Sequence, residues 1–435
     1  MKLTFTRYEA YKNSDVDWLG SVPAKWVVVR NKEVFKERSS LSTTGKETLL
    51  TVSHITGVTP RSEKNVNMFM AETMEGYKIC RPGDLIINTM WAWMGALGTS
   101  NELGICSPSY NVYMPIKGVP YNHRYFDYLF RIPNAVVEMT RNSKGIVSSR
   151  LRLYAKDFFQ IETVLPSLKE QEKIAHYLDT KTAQIDRKID LLTQKATLYS
   201  NLKQSLINET VTRGLDKSVP MKDSGIEWIG EVAQHWSLSR IKSLTKTKSG
   251  TTPQSGLSQY YENGTHFWVR TTDLNNNKLY SSEFKVTDIA REHYNLIYIP
   301  IKSILLAMYG GMGTIGKNAI LQEEVTINQS VCAIFPNDKK FVSEYLWYYI
   351  QYFKPHWEIF ADSARKDPNI NQETIKRLWV TLPPLSEQKA IANYLDTKTA
   401  QIDQIIQTIN TQIEKLKELR KTLINDVVTG KIKVV

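Results

Sequence analysis

Cysteine is scarce in this sequence, and long apolar runs are missing from it. Cys80, Cys106 and Cys332 are the only cysteines in 435 residues. An odd, unpatterned set of this kind excludes a disulfide scaffold and a zinc ribbon, and it is typical of a reducing compartment. No apolar run approaches the length of a membrane span, and Met1–Ala10 lacks the apolar core of a signal peptide. We therefore expect a soluble, cytoplasmic protein.

The motifs of common enzyme chemistries are also missing. The seven histidines show no metal-ligand spacing. The Asn/Asp-Pro-Pro-aromatic motif of amino-methyltransferases is absent, because the single Pro-Pro pair, Pro383-Pro384, lies between leucines. Gly311–Gly316 matches a dinucleotide fingerprint, but the strand-like Lys317–Leu321 follows where a helix is needed, which favours a tight turn. We expect no catalytic residue, no metal site and no enzymatic activity of its own.

The net charge gives the first indication of what the protein binds. The chain has 56 Lys+Arg against 44 Asp+Glu, a net charge of +12 and a pI near 9.2. Such a surplus favours polyanionic partners, with nucleic acid ahead of an acidic membrane surface. The hydrophobic content of 42% is ordinary for a folded protein, and the length allows two to three domains.

An internal repeat organises the chain. The ten residues Tyr177–Asp186 reappear letter for letter as Tyr394–Asp403, 217 positions further on. The openings of the two copies, Leu165–Gln171 and Leu382–Gln388, keep the same shift. Ten identical residues in a row indicate an internal duplication, so the chain is interpreted as two halves.

Both copies carry a heptad pattern of apolar residues. This pattern predicts two long amphipathic helices of about 40 residues, roughly 60 Å each, whose seams pack together as an antiparallel coiled coil. The predicted helix-pair interface consists of Leu178, Ile185, Leu192, Tyr199 and Leu206 in the first copy and Leu395, Ile402, Ile409, Leu416 and Leu423 in the second.

The segments before each repeat are predicted to be globular domains. Both regions show strand-like and helix-like runs, and they differ in sequence far more than their flanks do. We therefore predict an α+β (mixed α/β) fold with internal pseudo-two-fold symmetry, in which two similar domains are separated by the helices. The predicted boundaries are 1–164 for the first domain, 165–217 for the central helix, 218–381 for the second domain and 382–435 for the distal helix.

The two divergent domains contain residues suited to contact with DNA. Arg can bridge guanine acceptors and Asn or Gln can pair with adenine, whereas Ser, Thr and Lys mainly hold phosphate. The candidates in the first domain are Ser53, His54, Arg61, Trp91, Trp93, Lys144, Ser148, Arg150 and Arg152. Those in the second domain are Arg270, Thr271, Thr272, Asn275, Asn276, Lys278, Lys317, Asn328, Gln329, Arg365, Lys366, Asn369 and Asn371.

The repeated openings, followed by Tyr177-Leu178-Asp179 and Tyr394-Leu395-Asp396, resemble the specificity (S) subunits of type I restriction–modification systems. The resemblance covers essentially the whole chain, with Ser167 and Ala233 departing from the prolines of the other half. It places Pro166, Glu170, Gln171, Pro383, Glu387 and Gln388 in the frame that joins domains, helices and partner subunits.

The resemblance implies that each domain recognises half of a split site in double-stranded DNA and that the helices set the spacer. Two modification (methyltransferase) subunits would bring S-adenosylmethionine, and restriction subunits would bring ATP and Mg, with no cofactor held by this chain. Two alternatives stay open. One is a coiled-coil scaffold that joins two protein-binding modules, and the other is a self-contained DNA-modifying enzyme.

Overall fold

The computed structural model describes residues 6–64, 72–147, 150–310, 313–357 and 369–434. The chain forms two compact units. Unit 1 consists of Met1–Leu192 with Thr411–Val435, and unit 2 of Thr193–Asn410. Each unit therefore contains one globular domain and part of each long helix. Within the described ranges, no helix combines the length and apolarity that a membrane span requires.

Unit 1 is built on a small antiparallel sheet. Its strands are β1 Tyr11–Asn13, β2 Ser21–Pro23, β3 Val27–Arg30, β4 Phe35–Glu37, β5 Leu50–Ser53, β6 Gly57–Pro60, β7 Lys78–Cys80, β8 Leu85–Asn88, β9 Leu97–Thr99, β10 Gly104–Cys106, β11 Tyr110–Pro115 and β12 Glu162–Leu165. Its helices are α1 Asn31–Val34, α2 His123–Phe130, α3 Pro133–Arg141, α4 Ala155–Phe158 and the first part of α5 Leu168–Arg213.

The central sheet of unit 1 has the strand order β4-β11-β8-β9. All four residues of β8 are buried, because this strand lies between β11 and β9 and its apolar run is covered on both faces. Helix α2 packs an aromatic face against the sheet, where the rings of Phe126 and Phe35 lie 5.4 Å apart, centroid to centroid. Separate two-stranded ladders pair β1 with β2 and β3 with β12.

Unit 2 repeats this plan with additions. Its strands are β13 Met221–Asp223, β14 Glu231–Ala233, β15 Ser237–Arg240, β16 Thr247–Ser249, β17 His266–Val269, β18 Asn277–Leu279, β19 Lys285–Val286, β20 Ile304–Ala307, β21 Asn318–Leu321, β22 Thr326–Ile327, β23 Val331–Ile334 and β24 Trp379–Leu382. Its helices are the rest of α5, α6 Ile241–Leu244, α7 Asp288–His293, α8 Ser343–Phe353, α9 Gln372–Arg377 and the first part of α10 Leu385–Val428.

The main sheet of unit 2 has the order β16-β23-β20-β21-β18, so its first four strands match β4-β11-β8-β9. Strand β20 is completely buried, as β8 is. The pairs β13 with β14 and β15 with β24 repeat the two-stranded ladders of unit 1. A second sheet, β19-β17-β22, is packed around its own aromatic cluster, which includes Tyr260 and Trp268.

The long helices pack antiparallel within each unit. In unit 1, Asp186 of α5 accepts a hydrogen bond from Arg420 of α10 at 2.9 Å. Leu178, which precedes Asp186 on α5, shares a hydrophobic core with Val427, which follows Arg420 on α10, so the two helices run in opposite directions. In unit 2, Lys203 donates to Asp403 at 2.7 and 2.8 Å. The two ion pairs are equivalent, because each partner lies 217 positions from its counterpart.

None of the predicted helix-pair residues is exposed. Leu178, Leu395, Ile402, Ile409 and Leu423 are buried, whereas Ile185, Leu192, Tyr199, Leu206 and Leu416 are partly buried. The helices are 46 and 44 residues long, slightly longer than expected. The predicted fold class, a mixed α+β chain with two similar domains and two long helices, is confirmed.

Each domain is joined to its helix by a buried glutamine. The side chain of Gln171 accepts a hydrogen bond from the Asn122 N–H at 2.8 Å and donates to the Pro166 carbonyl at 2.9 Å. Gln388 makes the same two contacts, with the Val342 N–H and the Pro383 carbonyl. These bonds satisfy backbone groups where a helix begins against a loop, so they fix the helix to the domain.

A glycine follows each long helix and lies against a buried tryptophan. Gly214 has a φ of +80° beside Trp236, and Gly430 has a φ of +76° beside Trp26 and Pro23. Left-handed glycine is the usual way to end an α-helix. The tryptophans thus anchor the helix ends on the domains.

Candidate nucleic-acid interface

The candidate surfaces of the two units occupy equivalent places in the duplicated fold. In each unit an exposed aromatic residue, Trp91 or Tyr309, follows the buried central strand. A second segment lies alongside it. The Leu153 N–H donates to the Thr89 carbonyl at 3.1 Å in unit 1, and the Ile370 N–H donates to the Met308 carbonyl at 2.9 Å in unit 2.

In unit 2 this place is a polar cleft of about 500 Å³. It is lined by Ser249, Met308, Tyr309, Gln329, Ser330, Asn369, Ile370, Asn371 and Gln372. Three predicted DNA-binding residues, Gln329, Asn369 and Asn371, therefore converge here. Sequence reasoning missed Tyr309, and the signal that could have found it is an aromatic residue two positions after a buried apolar strand.

Gly250 allows the backbone to pass close to the turn that carries Gln329. A Cβ atom at Gly250 would lie 1.9 Å from the Ile327 carbonyl oxygen, so no other residue fits without movement of the chain. The Asn328 side chain stabilises the same turn by accepting a hydrogen bond from the Ser330 N–H at 3.2 Å. Asn328 thus supports the cleft, and its neighbour Gln329 is exposed.

The amides of the cleft differ in what they can offer a ligand. The Asn371 oxygen caps α9 by accepting from the Thr374 N–H at 2.9 Å. Gln372 is held by Ser249 at 3.2 Å and by the Thr247 carbonyl at 2.8 Å. The exposed Gln329 and the part-exposed Asn369 line the same cleft, where amides could match the donor and acceptor pattern of a base edge.

Several other candidates of unit 2 make structural contacts instead. The Asn276 oxygen accepts from the backbone and side chain of Asn318, and Lys278 forms an ion pair with Asp396 at 2.9 Å. The guanidinium of Arg270 lies over the Phe284 ring. The structure therefore does not bring these three side chains into the cleft.

The remaining candidates of unit 2 lie on turns. Thr271 and Thr272 belong to a 3-10 turn, and the Asn275 amide donates to the Thr272 carbonyl at 3.5 Å. Lys317 precedes β21 near Lys354. Burial lowers the pKa of Lys354, and the positive charge of Lys317 lowers it further. Two neighbouring cations of this kind favour an anion such as a phosphate.

The candidates of unit 1 fall into two groups. The first group surrounds the exposed Trp91, whose ring stacks on Trp93 with centroids 6.4 Å apart and planes 16° from parallel. Lys144 and Arg152 exchange two backbone hydrogen bonds of 2.9 Å at the base of a loop that also carries Arg150. Lys144 is ion-paired with Asp157 at 2.9 Å, whereas the Arg150 and Arg152 side chains are exposed.

The second group of unit 1 lies at the β5–β6 hairpin. Ser53 accepts from the Ile55 N–H at 3.1 Å, and His54 lines a cleft of about 320 Å³ that also contains Arg131, Arg420 and Lys421. Arg61 begins the 3-10 turn after β6. Ser148, Arg365 and Lys366 lie outside the described residues.

The predicted frame residues Glu170 and Glu387 each accept a side-chain hydrogen bond from their own domain. Tyr8 donates to Glu170 at 2.6 Å, and the His235 Nε2 lies 2.8 Å from Glu387. Among the described residues, no cluster of His, Cys, Asp and Glu has the composition of a metal site.

The sequence matches a known family model over less than half of its length. Residues 234–415 match the type I restriction modification DNA specificity domain. A curated relative, the type I restriction enzyme MjaVIII specificity subunit of Methanocaldococcus jannaschii, is 26% identical over 289 residues. That match covers 64% of this chain and 64% of the relative, which is less than two thirds of its length.

Solved structures share the fold. One chain from a study of complex assembly and conformational transition of the type I R-M system aligns over 94% of this chain and 99% of its own, with a TM-score of 0.73 and 17% identity. The HsdS subunit from Thermoanaerobacter tengcongensis aligns over 94% and 98%, with a TM-score of 0.55 and 16% identity. Residues 234–415 are thus similar to the type I restriction modification DNA specificity domain, and the fold of the chain is similar to those of these two solved structures.

Proposed function

We propose that this chain is the DNA sequence-specificity subunit of a type I restriction–modification complex in the cytoplasm. Each globular domain would recognise one half of a bipartite site in double-stranded DNA. The observation that carries the proposal is the contrast between the constant frame and the variable surfaces. Equivalent glutamines, tryptophans and inter-helix ion pairs recur in both units, whereas the side chains at the equivalent candidate surfaces differ in chemistry.

The two surfaces would contribute different sequence preferences. The cleft of unit 2 offers the amides of Gln329 and Asn369, which suit the donor and acceptor pattern of adenine in the major groove. The surface of unit 1 combines Trp91 with exposed arginines. Because the reading residues differ, the two half-sites would differ in sequence, and the recognised site would be asymmetric.

The helix pair would set the spacer and dock two methyltransferase subunits. Leu202 and Leu419 are equivalent residues on the long helices, and both are exposed, 53% and 40% respectively. Two equivalent apolar positions suit two copies of one partner. These partners would supply S-adenosylmethionine and the methyl-transfer chemistry, and restriction subunits would add ATP- and Mg-dependent cleavage, so this chain would act without a cofactor of its own.

The test is the DNA methylation pattern of cells that express this chain with its partner methyltransferase. A single bipartite motif that disappears when the chain is deleted supports the proposal. Exchange of residues 242–381 for the equivalent segment of another family member should change one half-site only. Methylation that is unaffected by deletion of the chain would refute the proposed function.

The spacer is tested by inserting one heptad into both long helices. Seven residues at 1.5 Å each add about 10 Å, the length of about three base pairs of DNA. Both half-sites should stay the same while the spacer grows. An unchanged spacer in a folded, active complex would show that the helices do not set it.

A further inference from the structure

Unit 1 exposes large apolar side chains at its candidate surface. Ile146 is fully exposed, and Trp91, Val147 and Tyr154 are each about half exposed, at 49%, 50% and 47%. Met90, next to Trp91, is also exposed. Exposed apolar groups concentrated in one place usually mark a surface that another molecule covers.

Backbone hydrogen bonds hold these side chains on neighbouring segments. The bond from the Leu153 N–H to the Thr89 carbonyl sets Tyr154 beside the turn of Met90 and Trp91. The paired backbones of Lys144 and Arg152 form the base of the loop that carries Ile146 and Val147. The indole N–H of Trp93 donates to the Met90 carbonyl at 3.0 Å, which holds Trp93 where Trp91 stacks on it.

The charges around this patch identify its occupant. Arg150 and Arg152 extend from the same loop as Ile146, and both are exposed. A surface that is apolar at its centre and cationic at its flank is complementary to a molecule with an apolar interior and a negative exterior. Stacked bases between two phosphate backbones have this distribution of charge.

The apolar centre of the patch limits how it can contact a base, whereas Arg150 and Arg152 at its flank keep their hydrogen-bond donors. Ile146 and Val147 have no side-chain donor or acceptor, so they cannot read the hydrogen-bonding edge of a base. The cleft of unit 2, by contrast, is lined by amides and hydroxyls. The two equivalent surfaces therefore suit different modes of contact with DNA.

We propose that Ile146 and Trp91 of unit 1 form an apolar wedge that enters the DNA and partly unstacks one base step in its half-site, while Arg150 and Arg152 hold the flanking phosphates. This inference rests on the proposed function. Apolar side chains that enter between base pairs kink the duplex and generate preference for steps that unstack easily. Unit 1 thereby recognises the deformability of its half-site.

The test uses the assembled complex with its methyltransferase partner and duplexes that carry 2-aminopurine at successive positions of the unit 1 half-site. Unstacking raises the fluorescence of this base. The wild-type complex should raise it at one position, and Ile146→Ala and Trp91→Ala should each abolish the rise. Loss of an aromatic stacking contact should weaken specific binding about tenfold.

The matched control is Leu103→Ala. Leu103 is an exposed leucine of unit 1 in the loop after Thr99. Thr99 pairs with Leu85 at the start of β8, whereas Trp91 follows the other end of that strand. This variant should keep both the rise and the affinity. Specific binding without any rise in fluorescence overturns the wedge alone. So does a rise that survives both substitutions, because base extrusion by the methyltransferase would produce such a rise. Absence of specific binding by the wild-type complex refutes the proposed function as well.

Discussion

Gln171 and Gln388 make the same pair of backbone hydrogen bonds in the two units, although the loops that they hold differ in sequence. Each glutamine is completely buried, accepts from a backbone N–H and donates to a proline carbonyl. The two residues lie 217 positions apart in the repeat. The joint between helix and domain is thus a constant element, and it can be tested in each unit separately.

Gln171→Leu and Gln388→Leu should each destabilise the unit that contains the substitution. Leucine fills the space but removes the partners of a part-buried N–H and of a buried proline carbonyl, and the buried carbonyl alone should cost about 1–3 kcal/mol. Urea unfolding followed by hydrogen exchange in each unit measures the effect. Gln184→Leu, at an exposed position of α5, is the control and should change little. Equal stability of all three variants would contradict the structural role of the glutamines.

Gly430→Ala should destabilise unit 1 more than the same substitution at an ordinary left-handed glycine would. A residue with a Cβ is less stable than glycine in the left-handed conformation by about 1–2 kcal/mol. The new Cβ would also lie 2.4 Å from the Pro23 ring and 3.0 Å from Trp26, both of which are buried. The thermal unfolding temperature of the purified protein measures the loss.

Gly20→Ala provides the control for Gly430→Ala. Gly20 also has a left-handed φ, of +65°, but a Cβ there would meet nothing within 4 Å. Its substitution should therefore show the conformational cost alone. If the two variants unfolded at the same temperature, the close approach of Gly430 to Pro23 would add nothing to the loss of stability.

The repeated parts of this fold can be predicted from the sequence, whereas the predictions for the two divergent domains are less precise. The heptads of α5 and α10 are visible because an apolar seam has a fixed period, and the buried strands β8 and β20 are visible as short apolar runs. Residue type alone cannot separate Asn369, which lines the cleft, from Asn276, whose oxygen holds Asn318. That distinction depends on which backbone group happens to face each amide.

The sequence predicts only part of the unit 1 surface. Trp91 and the arginines stand out by their chemistry, but nothing in the composition marks Ile146 as exposed, because an isoleucine normally belongs to a core. Its exposure follows from the pairing of Lys144 with Arg152, which closes a loop across a few residues. A pairing of that kind depends on the placement of the whole segment.

Asp179→Asn should lower stability at neutral pH and have no effect in acid. Burial opposes ionisation of Asp179, but hydrogen bonds from Arg124 at 2.6 Å and Tyr128 at 2.8 Å outweigh it and hold the pKa of the carboxyl below its ordinary value of 3.8. This contribution is present above about pH 4 and disappears as the pH falls through the lowered pKa of the folded state. Because the side chain is 41% exposed, less than about 1 kcal/mol is expected.

Urea unfolding of wild type and variant at pH 7, 5, 4 and 3 measures this contribution. The difference in unfolding free energy should be constant from pH 7 to 5 and shrink below pH 4. Tyr128→Phe, which removes one of the two donors, should show part of the same pH dependence. A difference that persists at its full size at pH 3 would assign the effect to packing, with no part for the charge.

Leu202→Glu and Leu419→Glu should each remove one methyltransferase subunit from the assembled complex. Both leucines are exposed at equivalent positions of the long helices, so each is available to one copy of the partner. A carboxylate buried in an apolar contact would be strongly unfavourable. Native mass spectrometry of the co-expressed complex should show two methyltransferase subunits for wild type, one for each single variant and none for the double variant.

Leu103→Glu is the matched control for docking, because Leu103 is an equally exposed leucine on a loop of unit 1 after β9. It should leave both methyltransferase subunits bound. Hydrogen exchange in α5 and α10 should be the same for all variants, since the substituted side chains make no part of either buried seam. Loss of both subunits in one single variant would indicate that they bind cooperatively, and retention of both in the double variant would exclude Leu202 and Leu419 from the docking surface.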